Sequence, residues 1–251
     1  MTKLIFSLAI LFSTSQAMAH GQSEERFSIE PEIQGPLTAG KISFPFKIFD
    51  AKAARTVGDT DLDETHTKKL HMIVYDQALQ EFNHTHPTFD GTTWNSTLEL
   101  PKNGTYFIWA QGQLNDGTEF STFTKAQTQG GTPENPTKPL GDVRKSAHDG
   151  TVVELAKNQV KAGKMTMLNF VVSRQDGLTP EISPYLGAFA HVIAVSPDGD
   201  ELIHVHPMEG SRPNSGMLHA TFPTHGDYRI WIQLIDRGTL KTIPLSVTVI
   251  K

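Results

Sequence analysis

A chain of 251 residues with a formal net charge of −5, 11 histidines and no cysteine excludes several classes of protein at once. Without cysteine there is neither a disulfide framework nor a thiolate metal site. The basic residues are scattered, so there is no electrostatic footprint for nucleic acid or an anionic membrane. What stands out is the histidine content, most of which falls into two clusters.

The chain opens with "MTKLIFSLAILFSTSQAMA", residues 1–19. A basic start at Lys3, an apolar run from Leu4 to Phe12 and the small-residue end Ala17-Met18-Ala19 have the form of a cleavable secretory signal. The apolar run is too short to span a bilayer, and no later segment reads as a membrane span. The mature chain is expected to begin at His20 and to be exported, to the periplasm or beyond, with about 230 residues for one large sandwich or two smaller domains.

Residues 20–127 carry short runs rich in Val, Ile, Phe, Tyr and Thr, broken by Gly, Asn, Asp and Pro, which is the punctuation of an all-β domain. Residues 128–148 are rich in Gly, Pro and polar side chains, lack apolar periodicity and are expected to form a linker. Residues 149–251 then repeat the first pattern. "LHMIVYDQALQEFNHTHP" (70–87) aligns with "AHVIAVSPDGDELIHVHP" (190–207), pairing His71 with His191, His84 with His204, His86 with His206 and Pro87 with Pro207. "LPKNGTYFIWAQGQLNDG" (100–117) answers "FPTHGDYRIWIQLIDRG" (222–238), pairing Tyr106 with Tyr228, Trp109 with Trp231 and Gln111 with Gln233. Upstream, "AGKISFPFKIFD" (39–50) answers "AGKMTMLNFVVS" (162–173). Such internal repetition indicates one domain present twice. "NGTYFIW" and "HGDYRIW" resemble the tyrosine corner of immunoglobulin-like sandwiches. The expected fold is therefore all-β: two tandem immunoglobulin-like β-sandwich domains after a signal peptide. Trp109 and Trp231 are expected in the core or half-buried on strands.

Side chains two apart on a strand share a face. Phe82, His84 and His86 thus align, as do Leu202, His204 and His206, and this face is expected to be the inward or semi-buried one. Pro87 and Pro207 end the pairing. His71 and His191 open the preceding run, and in a hairpin the start of one strand lies beside the end of the next. His71, His84 and His86 are expected to converge, and likewise His191, His204 and His206. Each trio would suit Cu(II) first and Zn(II) second, metals that accept neutral imidazole. Methionines look few and scattered, which argues against a Cu(I) thioether site. His20 and the acidic loop "DTDLDETHTKK" (59–69), with Asp61, Asp63, Glu64 and His66, are weaker candidate ligands. His148, His219 and His225 lack counterparts in the other copy and are expected on the surface.

"YLGAFAHVIAVSPDGDELIHVHP" (185–207) followed by "FPTHGDYRIWIQL" (222–234) resembles a module recurring in exported bacterial proteins, some associated with copper or other heavy metals. The first copy lacks the "YLGA" stretch. More loosely, the chain is similar to CopC-like periplasmic copper carriers, which are Ig-like sandwiches with an N-terminal His after signal cleavage; His20 matches that residue. The resemblance implies a metal-binding exported protein engaged in carriage, buffering or resistance, with a periplasmic protein partner. The alternative is a non-catalytic adhesion or interaction module in which the His hairpins are structural. Neither a G-x-S-x-G elbow nor an H-E-x-x-H helix is present, and no enzyme activity is expected.

Overall fold

A computed structural model of the protein describes residues 26–205 and 207–251. The segment 1–19 expected to be a signal, His20 and His206 lie outside the described residues. The chain is all-β and forms two sandwiches, each of one five-stranded and one six-stranded sheet. In the first, β1 (Phe27–Pro31), β2 (Gly40–Asp50) and β5 (Trp94–Leu100) make up most of one sheet. The other is built by β3 (Leu70–Asp76), β4 (Phe82–Thr85), β6 (Gly104–Leu114) and β7 (Glu119–Gln129). In the second, β8 (Lys145–His148), β9 (Thr151–Leu155), β10 (Met165–Arg174), β13 (Met208–Glu209) and β14 (Ser215–Thr221) form the five-stranded sheet. There β11 (His191–Val195), β12 (Leu202–Val205), β15 (Gly226–Asp236) and β16 (Thr239–Ile250) form most of the six-stranded one.

Alternation sets the sandwich cores. Along β2, Phe44, Phe46 and Ile48 point inward, and they meet Trp94, Leu98, Tyr106 and Ile108. Leu168, Phe170 and Val172 of β10 take the same places against Tyr228, Ile230 and Leu245. The equivalent residues of β10 therefore stand one position further along than an ungapped alignment of 39–50 with 162–173 places them. Both tyrosine corners form: Lys102 N–H donates to Tyr106 Oη and Thr224 N–H to Tyr228 Oη, each at 3.2 Å. Strand β7 runs to Gln129 and β8 begins at Lys145 within the second sandwich. The connecting stretch is thus residues 130–144, narrower than 128–148.

Strands β3 and β11 do not alternate, because every residue in them is buried. One face of each lines its own core, and the other packs against the opposite domain. Ile73, Tyr75, Phe107 and Trp109 of the first domain meet Ile193, Val195, Leu202 and Trp231 of the second in a third apolar cluster. Phe82 stacks on Trp231 with centroids 4.5 Å apart. Polar links flank the stack. Tyr75 Oη donates to Gly199 O at 2.7 Å, Trp109 Nε1 to Tyr75 Oη at 2.6 Å, and Arg229 Nε to Leu79 O at 2.9 Å. The two six-stranded sheets are therefore the inner layers of a four-layer stack, and Trp109 and Trp231 are buried between them.

Of the two expected placements of the histidines, inward or semi-buried, the structure has the semi-buried one. In the hairpin register His84 lies opposite Ile73 and His204 opposite Ile193, so both face the seam between domains rather than the interior of their own sandwich. The other face of β4 is polar for a local reason. Asn83 exchanges two hydrogen bonds with the Glu99 backbone, and Thr85 Oγ1 bonds Ser96 Oγ at 2.7 Å, stitching the edge of one sheet to the other. In β12 the same places are Ile203 and Val205, which pack into the core of the second domain.

Candidate metal centre between the domains

The two hairpins meet across an approximate twofold relation, so that their histidines form one cluster. His71 and His204 ring centroids are 5.5 Å apart, His84 and His204 5.5 Å, His84 and His191 5.7 Å, and His71 and His191 6.4 Å. The sequence suggests two separate trios; the fold brings together all five of the described residues of those trios. Within the first domain, one nitrogen from each of His71, His84 and His86 lies within 4.8 Å of the others.

Hydrogen bonds on the outer side of the rings fix where the protons are. His71 Nε2 donates to Thr65 O at 3.2 Å, and His191 Nε2 to Tyr185 O at 3.1 Å. Across the seam, His84 Nδ1 donates to Gln233 Oε1 at 2.7 Å, and His204 Nδ1 to Gln111 Oε1 at 3.1 Å. Each carboxamide is oriented in turn. Gln233 Nε2 donates to Thr242 Oγ1 and Gln111 Nε2 to Ser121 Oγ, both at 3.0 Å. A neutral imidazole carries one proton, so these bonds leave lone pairs on Nδ1 of His71 and Nε2 of His84. Those lone pairs face each other, with His71 Nδ1 3.2 Å from His84 Nε2; in the second domain His191 Nδ1 stands 3.3 Å from His204 Nε2. His86 Nε2 is buried without a hydrogen-bond partner among the described residues.

His71, His84, His86 and His191 are neutral at neutral pH. Burial, reinforced by neighbouring imidazoles, pushes His84 down to about 4 and His86 and His191 down to about 3. Burial likewise holds His71 at about 4, against an opposing bond to the Thr65 carbonyl. The facing lone pairs of His71 and His84 in this desolvated cluster repel one another until a cation sits between them. Two nitrogens held ~2.0 Å from a tetrahedral metal stand ~3.3 Å apart, so the residues present fit such an ion.

The cluster is covered by two matching turns. Tyr185 and Ala188 bracket "YLGA", with Leu186 and Gly187 at φ 49° and 75°, whereas Thr65 and Lys68 bracket "THTK", with His66 and Thr67 at φ 52° and 66°. The first copy thus builds the turn without its glycine, and a Cβ on Gly187 would lie 3.7 Å from Thr67 Cγ2 across the seam. His66 stands with its ring 6.1 Å from that of His191, edge to face. The acidic members of the loop do other work: Asp61 pairs with Arg55 at 2.8 Å and caps Gly58 N–H, and Asp59 pairs with Lys69 at 3.0 Å. His148 and His225 are exposed, as expected; His219 is half-buried, contrary to expectation. Gln111 and Gln233 are the functional residues the sequence does not single out. Their pairing in the repeat was the available signal.

Among the described residues no helix is long and apolar enough to cross a membrane. No curated protein matches the chain. Among solved structures, it is similar to the fibronectin(III)-like modules of Clostridium thermocellum CbhA (13% identity, 88% of this chain and 93% of that one, TM-score 0.24). It is also similar to the Escherichia coli adhesin FdeC (15% identity, 93% and 67%, TM-score 0.25) and to a tetra-tandem repeat from the extending region of a large adhesion protein (11% identity, 89% and 48%, TM-score 0.29). A family model matches residues 28–129 and 145–251, one span for each sandwich, and the chain belongs to that family, the domain of unknown function DUF8832.

Proposed function

We propose that this is a non-catalytic, exported binding module in which two Ig-like domains clasp divalent transition-metal ions between them. The observation that carries the reading is the close approach of two ring nitrogens in each domain, at 3.2 and 3.3 Å, with the other nitrogen of each ring directed outward to Thr65, Tyr185, Gln111 or Gln233. Outer partners that fix the tautomer of a ligating histidine are the usual company of a metal site. His71 with His84, supplemented by His86, holds one ion, and His191 with His204 holds the second. The donor spacing favours Zn(II) over Cu(II), since cis nitrogens in a square-planar copper site stand closer, at ~2.8 Å. Carriage or buffering in the periplasm, with delivery to a protein partner, is the role such a site serves.

Titration of the full mature chain with Zn(II), and separately with Cu(II), followed by calorimetry, tests this. Two equivalents are expected, and His84→Ala with His204→Ala is expected to lower affinity at least 100-fold. Unchanged affinity and stoichiometry in that variant would sink the proposal. A second reading is an adhesion or interaction module with structural histidines. The cross-domain bonds His84–Gln233 and His204–Gln111 favour it, because they tie the domains together without any ion. It requires that chelation leave the thermal midpoint unchanged.

A further inference from the structure

Outside the inter-domain site, the five-stranded sheet of the second domain carries an unusual outer face. Of the seven methionines, two fall within residues 1–25 and Met72 is in the first core; the other four meet on this face. Met165 and Met167 project from β10 and Met208 from β13, at 73%, 55% and 52% exposure. The ladder places Met167 directly opposite His219, Met217 opposite Asn169, and Met208 opposite Met217 from the other side. Directly opposed residues have Cβ atoms about 5 Å apart and diagonal ones about 7 Å, within reach of a side chain with three rotatable bonds. Gly216, beside Met217, approaches the Phe170 ring on the inner face, which confirms that Met217 points outward. On the same face, opposite Met167, His219 Nε2 is buried with no hydrogen-bond partner among the described residues.

The first domain shows what the same face looks like without this feature. There the ladder pairs Lys41 with Glu99, Ser43 with Thr97 and Pro45 with Asn95, an ordinary solvated surface. A merely apolar contact patch has no use for a desolvated ring nitrogen. Thioethers with one imidazole are a soft donor set that selects Cu(I) over harder divalent ions. We propose that Met167, Met208, Met217 and His219 form a binding site for a soft monovalent metal ion, Cu(I) or its analogue Ag(I). Met165 flanks this site. Sequence separation hides it: residues some fifty positions apart are united only by the register of β10, β14 and β13.

The test is anaerobic Cu(I) titration of the full chain in competition with the chromogenic chelator bicinchoninate, with Ag(I) followed through the methionine ε-methyl resonances. One equivalent of Cu(I) should be withdrawn from the chelator. Met167→Leu with Met217→Leu, and separately His219→Gln, should each weaken binding at least 10-fold, while His84→Ala with His204→Ala should retain it. Zn(II) binding should be untouched by the methionine substitutions, so failure here is distinct from failure of the inter-domain site. In the wild-type chain, Ag(I) should shift the methyl signals of Met167, Met208 and Met217 but not that of buried Met72, a readout independent of variant folding. Retention of full Cu(I) affinity by the leucine variant, or unmoved methyl signals, would overturn the proposal.

Discussion

Gln233 and Gln111 decide whether the imidazoles present lone pairs or protons to the cluster centre. Each accepts a ring proton from the opposite domain and is itself oriented by a hydroxyl, Thr242 or Ser121. Replacing Gln233 by Leu removes the acceptor for His84 Nδ1–H and frees that ring to change tautomer. Zn(II) affinity at one of the two sites is expected to fall 10- to 100-fold, as loss of outer hydrogen-bond partners typically costs, and stepwise calorimetry resolves it from the intact site. The sequence showed this glutamine pair aligned in the repeat. Its role was illegible there because each acts on the other copy's histidine, a relation that exists only once the domains dock. Thr67 offers a second residue-scale prediction. A β-branched residue at φ 66° is strained, and the matching position in the second turn is Gly187. Thr67→Gly should stabilise the chain by ~1 kcal/mol, measured as a higher urea midpoint with unchanged slope.

At the scale of elements, the strands were readable because period-two alternation and turn residues are local properties. β2 and β5 alternate along their buried lengths, and the tyrosine corners follow from a turn placed four residues before a strand tyrosine. Tyr106→Phe is expected to cost ~1 kcal/mol for one lost hydrogen bond. Tyr228→Phe should cost more, since its hydroxyl also bonds Thr224 Oγ1 at 2.8 Å and Glu201 at 3.0 Å. Paired thermal melts of the two variants check that ordering. What could not be read was the facing of β4. Asn83 and Thr85 look like solvent residues, yet they stitch two sheets together, while the apolar Phe82 and the histidines point to a surface supplied by the other domain. The continuous runs "LHMIVYD" and "HVIAV" held the relevant signal, for strands buried on both faces lose their alternation.

For the whole molecule, docking and histidine chemistry share one surface, so proton binding, metal binding and stability are linked. His71 and His191 are buried between the domains and held at about 4 and about 3, against about 6.5 in an unfolded chain. Below pH 6.5 the unfolded chain takes up protons that the docked rings refuse. Stability of the metal-free protein must therefore fall as pH drops from about 6.5 to about 3, and level off below the folded values. Each unit of depression is worth ~1.4 kcal/mol per ring at the end of that window. The seam should yield first, because protonating the cluster repels one domain from the other while each sandwich keeps its own core. Fluorescence of Trp109 and Trp231, stacked at the seam, should report opening at a higher pH than far-UV circular dichroism reports loss of strands. Zn(II) between the lone pairs competes directly with those protons. Saturating metal should shift the fluorescence transition to lower pH, and His84→Ala with His204→Ala should abolish the shift. Coincident fluorescence and dichroism transitions would show instead that the two domains unfold as a single cooperative unit.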